Sequence, residues 1–216
     1  MIKKNKFTLV VTSIVTLLPI LIGVLLWDRL PDEVPMHWGI NGEVDGWSSK
    51  EFAVFAMPAI MLALHWSCVF ASMADPKRKN YTDKMLQLML WICPAISLVL
   101  ECFVYAAAME YDVSVEIIAP VIVGVLFIVI GNLLPKCRQT YTLGIRLPWT
   151  LANEENWNKT HRLAGKLWVV GGIAVIAGGI IGNIWTLIAV LLLMVIIPTV
   201  YSYCLFMHQN QRERES

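Results

Sequence analysis

Glu101 is set deep inside an apolar run, where an ionised carboxylate costs about 2.5–3.5 kcal/mol on insertion scales. Two chemistries fit such a residue. One is a protonated carboxyl hydrogen-bonded to a neighbouring helix, the preferred reading; the other is a charged group lining a polar route for a solute. His65 in the preceding run and Asn132 in the following one are further intramembrane polar groups. At helical rise, Glu101 falls roughly 12 Å below one surface and His65 roughly 20 Å below the same surface, so no acid–base pair is expected of them. Cys68, Cys93, Cys102 and Cys204 lie in apolar runs and Cys137 in a basic connection, without a CxxC pair; neither a disulfide framework nor a zinc site is indicated. No nucleophile–base set, P-loop or glycine-rich nucleotide fingerprint is present. The expectation is a protein that is not an enzyme and has no metal or cofactor.

Two polar connections hold the other candidates. Residues 28–51 read DRLPDEVPMHWGINGEVDGWSSKE and gather Asp28, Asp32, Glu33, Glu43, Asp45 and Glu51 around His37, Trp38 and Trp47. The Pro, Gly and Asn content favours a compact turn-rich loop over a helix. Acidic charge steers a cationic or amphipathic ligand and the rings supply apolar contact, so His37, Trp38, Glu43, Asp45 and Trp47 form a candidate binding set; Trp as an interfacial anchor is the competing account. Residues 135–166 combine Arg146, Trp149, Trp157, His161 and Arg162, side chains that dominate protein interfaces or that meet lipid headgroups. This stretch opens irregularly through Gly144 and Pro148. It is predicted to turn helical at about Leu151, with Trp157, His161, Ala164 and Trp168 on one face at spacings of three and four.

The elements that must hold these loops are membrane spans. Apolar residues make 57% of the 216-residue chain and charged ones only 15%, against about 25% charged in soluble domains. Six runs are long or apolar enough to cross: Phe7–Trp27, Phe52–Ala74, Leu86–Met109, Ile117–Leu134, Leu167–Gly182 and Ile184–Met207. Cations fix the orientation, because basic loops stay in the cytoplasm. With both termini inside, Lys3, Lys4, Lys6, Lys77, Arg78, Lys79, Lys84, Lys136, Arg138, Arg146, Lys159, Arg162, Lys166, Arg212 and Arg214 are cytoplasmic, 15 of 17, leaving Arg29 and Lys50 outside. The fold class is therefore an all-α integral membrane protein of six transmembrane helices, multi-pass in a plasma membrane, with 28–51 outside and 135–166 inside. The separated basic groups and a net charge of +1 argue against direct nucleic-acid binding. Prolines at 19, 58, 94, 120 and 198 are expected to bend their spans. Ala174, Gly178 and Gly182, four apart, are expected to form a ridge for close helix packing within the chain or in a homo-oligomer. Three spans per half, each half with its long loop after the first span, also hint at an inverted repeat.

The stretch Gly131-Asn132, Tyr141-Thr-Leu-Gly144-Ile-Arg146-Leu-Pro148-Trp149-Thr150-Leu151, Trp157 and His161-Arg162-Leu-Ala-Gly165-Lys166 resembles the signature of the SdpI family of bacterial membrane proteins. Leu30-Pro31, Val34-Pro35, His37-Trp38, Gly42, Asp45 and Trp47 are similar to the short domain of unknown function that often precedes that signature. The division implied is 1–85, with the first two spans and the 28–51 loop, and 86–216, with spans three to six and the signature loop. The resemblance implies immunity to a secreted toxin peptide, and signal transduction in which toxin binding draws an ArsR-type repressor to the membrane. On our own reading the outer loop meets the peptide and the inner loop the repressor. The alternative is a small-solute or peptide transporter or exporter built on bent helices and Glu101.

Overall fold

In a computed structural model, residues 5–111 and 113–215 are described, the side chains of 213–215 excepted. Lys3, Lys4 and the side chain of Arg214, three of the cations counted above, lie outside the described residues. Among the described residues, six helical segments are long and apolar enough to cross a membrane. They contain α1 (Lys6–Leu25), α2 (Met57–Ala74), α3 (Asp83–Ala108), α4 (Val115–Leu133), α6 (Glu154–Ile180) and α7 (Ile184–Glu215), with a short α5 (Pro148–Ala152) between the fourth and fifth. Pro19, Pro94, Pro120 and Pro198 lie inside their helices. Pro58 instead follows a π-helical turn, Phe52–Ala56, within the continuous segment Phe52–Ala74, and the widened turn accommodates its ring and missing N–H.

The chain divides into two compact units, Met1–Ala74 with Leu86–Val115, and Asp75–Met85 with Glu116–Ser216. The first contains α1, α2 and most of α3; the second contains α4 to α7 and the 75–85 connection. Motif and packing thus divide the chain differently, since α3 packs mainly with the two spans before it.

The first unit departs from the all-α expectation. Residues 33–49 are not a loop but an antiparallel hairpin, β1 (Glu33–Trp38) with β2 (Val44–Ser49). Part of the pattern that makes it lies in the sequence: Val34, Met36 and Trp38 fall on alternate positions, with polar Glu33 and His37 and also Pro35 between them, and Asn41-Gly42 supplies the turn, Gly42 at φ 76°. Two hydrogen bonds close the turn, Gly39 N to Glu43 O at 2.8 Å and Gly42 N to Gly39 O at 3.0 Å. The hairpin sets its inner face on Leu30, Ala53, Val54, Val104, Tyr105 and Ala108. A second cluster of Leu9, Val69, Leu86, Met89 and Leu90 holds the other end of the same helices.

In the second unit, α4 and α6 meet backbone to backbone. A Cβ on Gly172 would lie 2.5 Å from the Gly124 carbonyl oxygen, one on Gly131 2.9 Å from that of Gly165, and one on Gly179 2.5 Å from Pro120 Cβ. Gly165, Gly172 and Gly179 recur every seven residues, two helical turns, and so stay on one stripe. The predicted Ala174–Gly178–Gly182 ridge holds at Gly178 and is corrected at Gly182. Gly178 packs on Thr186 of α7, while Gly182, at φ +75°, ends the helix with nothing within 4 Å of its added Cβ. The helix predicted from about Leu151 breaks at Asn153 and then runs as α6 without interruption from Glu154 to Ile180, through most of the predicted span Leu167–Gly182; the Asn153 side chain caps it by accepting from Asn156 N at 2.9 Å.

Candidate functional site

The hairpin sorts its residues by face. Trp38 turns inward and packs on Phe103, ring centroids 5.1 Å apart. His37, Glu43, Asp45 and Trp47 turn outward, and Trp47 is 58% exposed. His37 stands opposite Gly46, where a side chain would press on its Cβ at 2.8 Å. That gap lets the His37 Nδ1 hydrogen-bond to Asp45 Oδ1 on the outer face. The two cations of this loop are tied elsewhere. Lys50 Nζ donates to Leu30 O at 3.2 Å and Trp27 O at 3.4 Å and pairs with Asp32 at 3.2 Å, so its charge caps the chain leaving α1. Arg29 donates to the Tyr111 hydroxyl at 3.4 Å. Four of the five predicted binding residues therefore share one acidic, aromatic surface, and Trp38 anchors it.

The 135–153 segment of the second unit is organised by a residue that sequence reasoning missed. Asp75, 3% exposed, follows α2 directly. Its Oδ2 accepts from Tyr141 N at 2.9 Å, Thr142 N at 2.9 Å, Thr142 Oγ1 at 2.8 Å and the Tyr81 hydroxyl at 3.2 Å, while Oδ1 accepts from Lys77 N at 2.7 Å. Burial alone raises this carboxyl, but the Thr142 hydroxyl, the backbone N–H groups of Lys77 and Tyr141 and the Tyr81 hydroxyl outweigh burial and hold it below the ordinary carboxylate range. Gln139 completes the frame, donating to Thr150 O at 2.8 Å and Leu151 O at 2.9 Å and accepting from Lys77 Nζ. Only the Asp-Pro after a span hints at this role, as an Asx turn.

The predicted inner-loop set is split by burial. Trp157 is fully enclosed and donates to Cys137 O at 2.7 Å. His161, 1% exposed, stacks on Trp157 with centroids 4.0 Å apart. Its Nε2 accepts from Ile145 N at 2.9 Å, which places the proton on Nδ1, the donor to Trp157 O at 2.8 Å. Gly144 makes this possible: its φ is +108°, and a Cβ there would sit 2.5 Å from His161 Nε2. Trp149 lies against Tyr203 and Phe206 of α7 and donates to Ser202 Oγ at 2.9 Å. These three residues hold the loop, which corrects the reading of Trp157 and His161 as partner contacts. Arg146 and Arg162 are exposed, Arg146 with one N–H on Tyr141 O at 2.8 Å. Exposed Arg78, Lys79, Lys84, Lys136, Arg138 and Lys166 belong to the same unit, whose surface offers cations in number.

The intramembrane polar residues also separate. Asn132, in the last turn of α4, is exposed. Glu101 and His65 are buried in the first unit at 2% and 0% exposure, with Glu101 Oε2 and His65 Nδ1 lacking hydrogen-bond partners. Among the described residues, no group of three or more His, Cys, Asp or Glu is arranged to hold a metal ion.

Residues 136–202 match the SdpI/YfhL protein family, and residues 14–62 match a domain of unknown function, DUF1648. The chain is 27% identical over 208 residues to the Immunity protein SdpI of Bacillus subtilis (strain 168), an alignment covering 93% of this chain and 95% of that one. No solved structure matches. The first region contains Gln139, Gly144, Trp149, Trp157 and His161, and the second contains the hairpin, so the two matches fall on the two constructions described above.

Proposed function

We propose, from the premise that this chain is a multi-pass membrane protein of SdpI type, that it protects its cell against a secreted, membrane-active peptide without catalysing a reaction. The observation that carries this reading is the likeness to an immunity protein along 93% of the chain, through both the hairpin and the 136–202 region. It is preferred to transport for that reason. With both termini cytoplasmic, as the distribution of Lys and Arg supports, the hairpin faces outward. His37, Glu43, Asp45 and Trp47 are then the first contact for a cationic peptide, drawn by acidic charge and held on the indole. On the cytoplasmic side, exposed Arg146, on the loop braced by Asp75, Trp157 and His161, and exposed Arg162 on α6 dock an ArsR-type repressor and so report that toxin is bound.

The test is survival of a peptide-sensitive host expressing the chain, with a reporter for the repressed operon. Asp45→Asn with Trp47→Ala is expected to lower protection while the protein remains in the membrane. Arg146→Ala with Arg162→Ala is expected to leave protection in place and abolish reporter induction. Survival equal to an empty-vector control for the wild type, across cationic secreted peptides, refutes the immunity reading.

A further inference from the structure

We propose that Glu101 is a proton-binding site, placed in a buried column of hydroxyl and imidazole groups in the first unit. Thr12, Thr16, His65, Ser97, Glu101 and Tyr105 are each at most 2% exposed. Residues 97, 101 and 105 are spaced by four and share one face of α3. That face meets α1, because Ser97 Oγ donates to Thr16 O at 3.1 Å and the Tyr105 hydroxyl to Pro19 O at 3.2 Å. Glu101 lies one turn from each clasp. On α1, Pro19 has no N–H for the Val15 carbonyl, so the turn between the clasps is rich in acceptors.

The hydrogens of this column are already committed. Thr12 Oγ1 donates to Leu9 O at 3.1 Å, Thr16 Oγ1 to Thr12 O at 2.8 Å, and Ser97 and Tyr105 to α1 carbonyls. None is left to donate to Glu101 Oε2, which is enclosed and unpartnered. A carboxylate there has neither donor nor counter-ion, whereas a carboxylic acid brings its own donor into an acceptor-rich turn. Along the three helices, the titratable groups besides Glu101 are His65 and Cys68 on α2 and, on α3, Asp83 and Lys84 in its first turn and Cys93, Cys102 and Tyr105; α1 contributes none from Phe7 to Leu25. His65 closes the far end. Because the Thr12 hydroxyl hydrogen goes to Leu9 O, the contact of His65 Nε2 with Thr12 Oγ1 at 3.2 Å makes Nε2 the donor. The unpartnered Nδ1 is then a bare acceptor. One end of the column holds a proton to give and the other an empty seat for one.

The inference stands apart from the immunity reading and is tested without toxin. Membranes containing the full chain are treated with the apolar reagent dicyclohexylcarbodiimide at a series of pH values, and adducts are located by peptide mass spectrometry. The reagent reacts with protonated carboxyls in apolar surroundings. Expected is an adduct at Glu101 that falls at least about tenfold along a one-proton titration between about pH 5 and about pH 9 and returns on reacidification. The infrared band of a protonated carboxyl is expected in the wild type and not in Glu101→Gln. No adduct at Glu101 at any pH, or an adduct constant across the series, overturns the proposal; the wild type alone decides it, so a variant that fails to fold does not shelter it.

Discussion

Replacing Asp75 by Asn keeps the shape of the side chain and removes its charge, which isolates what the carboxylate does for the 135–153 loop. An Asn oxygen can take the Oδ2 position, but its amide nitrogen then faces the Lys77 N–H, a donor against a donor. That lost charge-assisted bond is worth about 1.5–3 kcal/mol. The four groups on Oδ2 do not each count in full, because one oxygen has two lone pairs to share among Tyr141 N, Thr142 N, Thr142 Oγ1 and the Tyr81 hydroxyl. Losing the charge there removes about 1 kcal/mol more. The sum, about 3 kcal/mol, is on the order of a hundredfold in local opening of the loop. Lys136, Arg138 and Arg146, all exposed, offer trypsin its sites within the braced segment. Limited digestion of membranes with that face accessible is therefore expected to cut after them on the order of a hundred times faster in Asp75→Asn, with little change at Arg212. The sign of the pH dependence is fixed as well. A carboxyl held below its ordinary value in the folded chain stabilises at pH above that ordinary range, and the stabilisation is lost as pH falls through the lowered value. Wild-type protection should thus be flat from neutral pH to the ordinary carboxylate range and fail only in stronger acid. Cleavage rates in Asp75→Asn within about threefold of wild type would falsify the bracing role.

Trp157→Phe keeps most of the ring and strands the Cys137 carbonyl; a loss of about 2 kcal/mol is expected in thermal unfolding in detergent. Gly172→Ala drives a methyl to 2.5 Å from the Gly124 carbonyl oxygen, so α4 and α6 must separate, and a loss of about 1–3 kcal/mol is expected in the same assay, against little change for Ala at exposed Asn158. The Cys137 thiol, 7% exposed and pushed up to about 12 by burial, should resist a water-soluble maleimide at neutral pH and react only once the loop is opened, as in Asp75→Asn.

The spans were legible because a bilayer demands about 20 apolar residues in a row, a property of composition and length that needs no partner. Phe7–Trp27 was expected where Lys6–Leu25 is helical, and Ile184–Met207 within Ile184–Glu215. What faces what was less legible. The helical face of Trp157, His161 and Ala164 was read correctly from its spacing, yet spacing does not say whether a face looks into the protein or away from it, and here it looks in. The hairpin was hidden by Pro35 and Gly46, residues that speak for turns; both fall where a bulge or a close crossing of the strands excuses them. Asp75 was passed over because its partners Tyr141 and Thr142 lie 66 and 67 residues away. The glycine stripe was misread because a four-residue spacing marks one turn of contact, whereas two helices meshed along their length repeat every seven.

The same meshing governs how a disturbance spreads through the second unit. α6 is 27 residues long, about 40 Å at helical rise, and carries the Trp157–His161 stack near one end and Gly179 against Pro120 near the other. Where main chain approaches main chain, at Gly124 with Gly172 and Gly131 with Gly165, few rotamers stand between the two axes to absorb a small tilt. A twist applied at the loop end is therefore expected to pass along α6 toward the Gly179–Pro120 contact instead of being taken up between the helices.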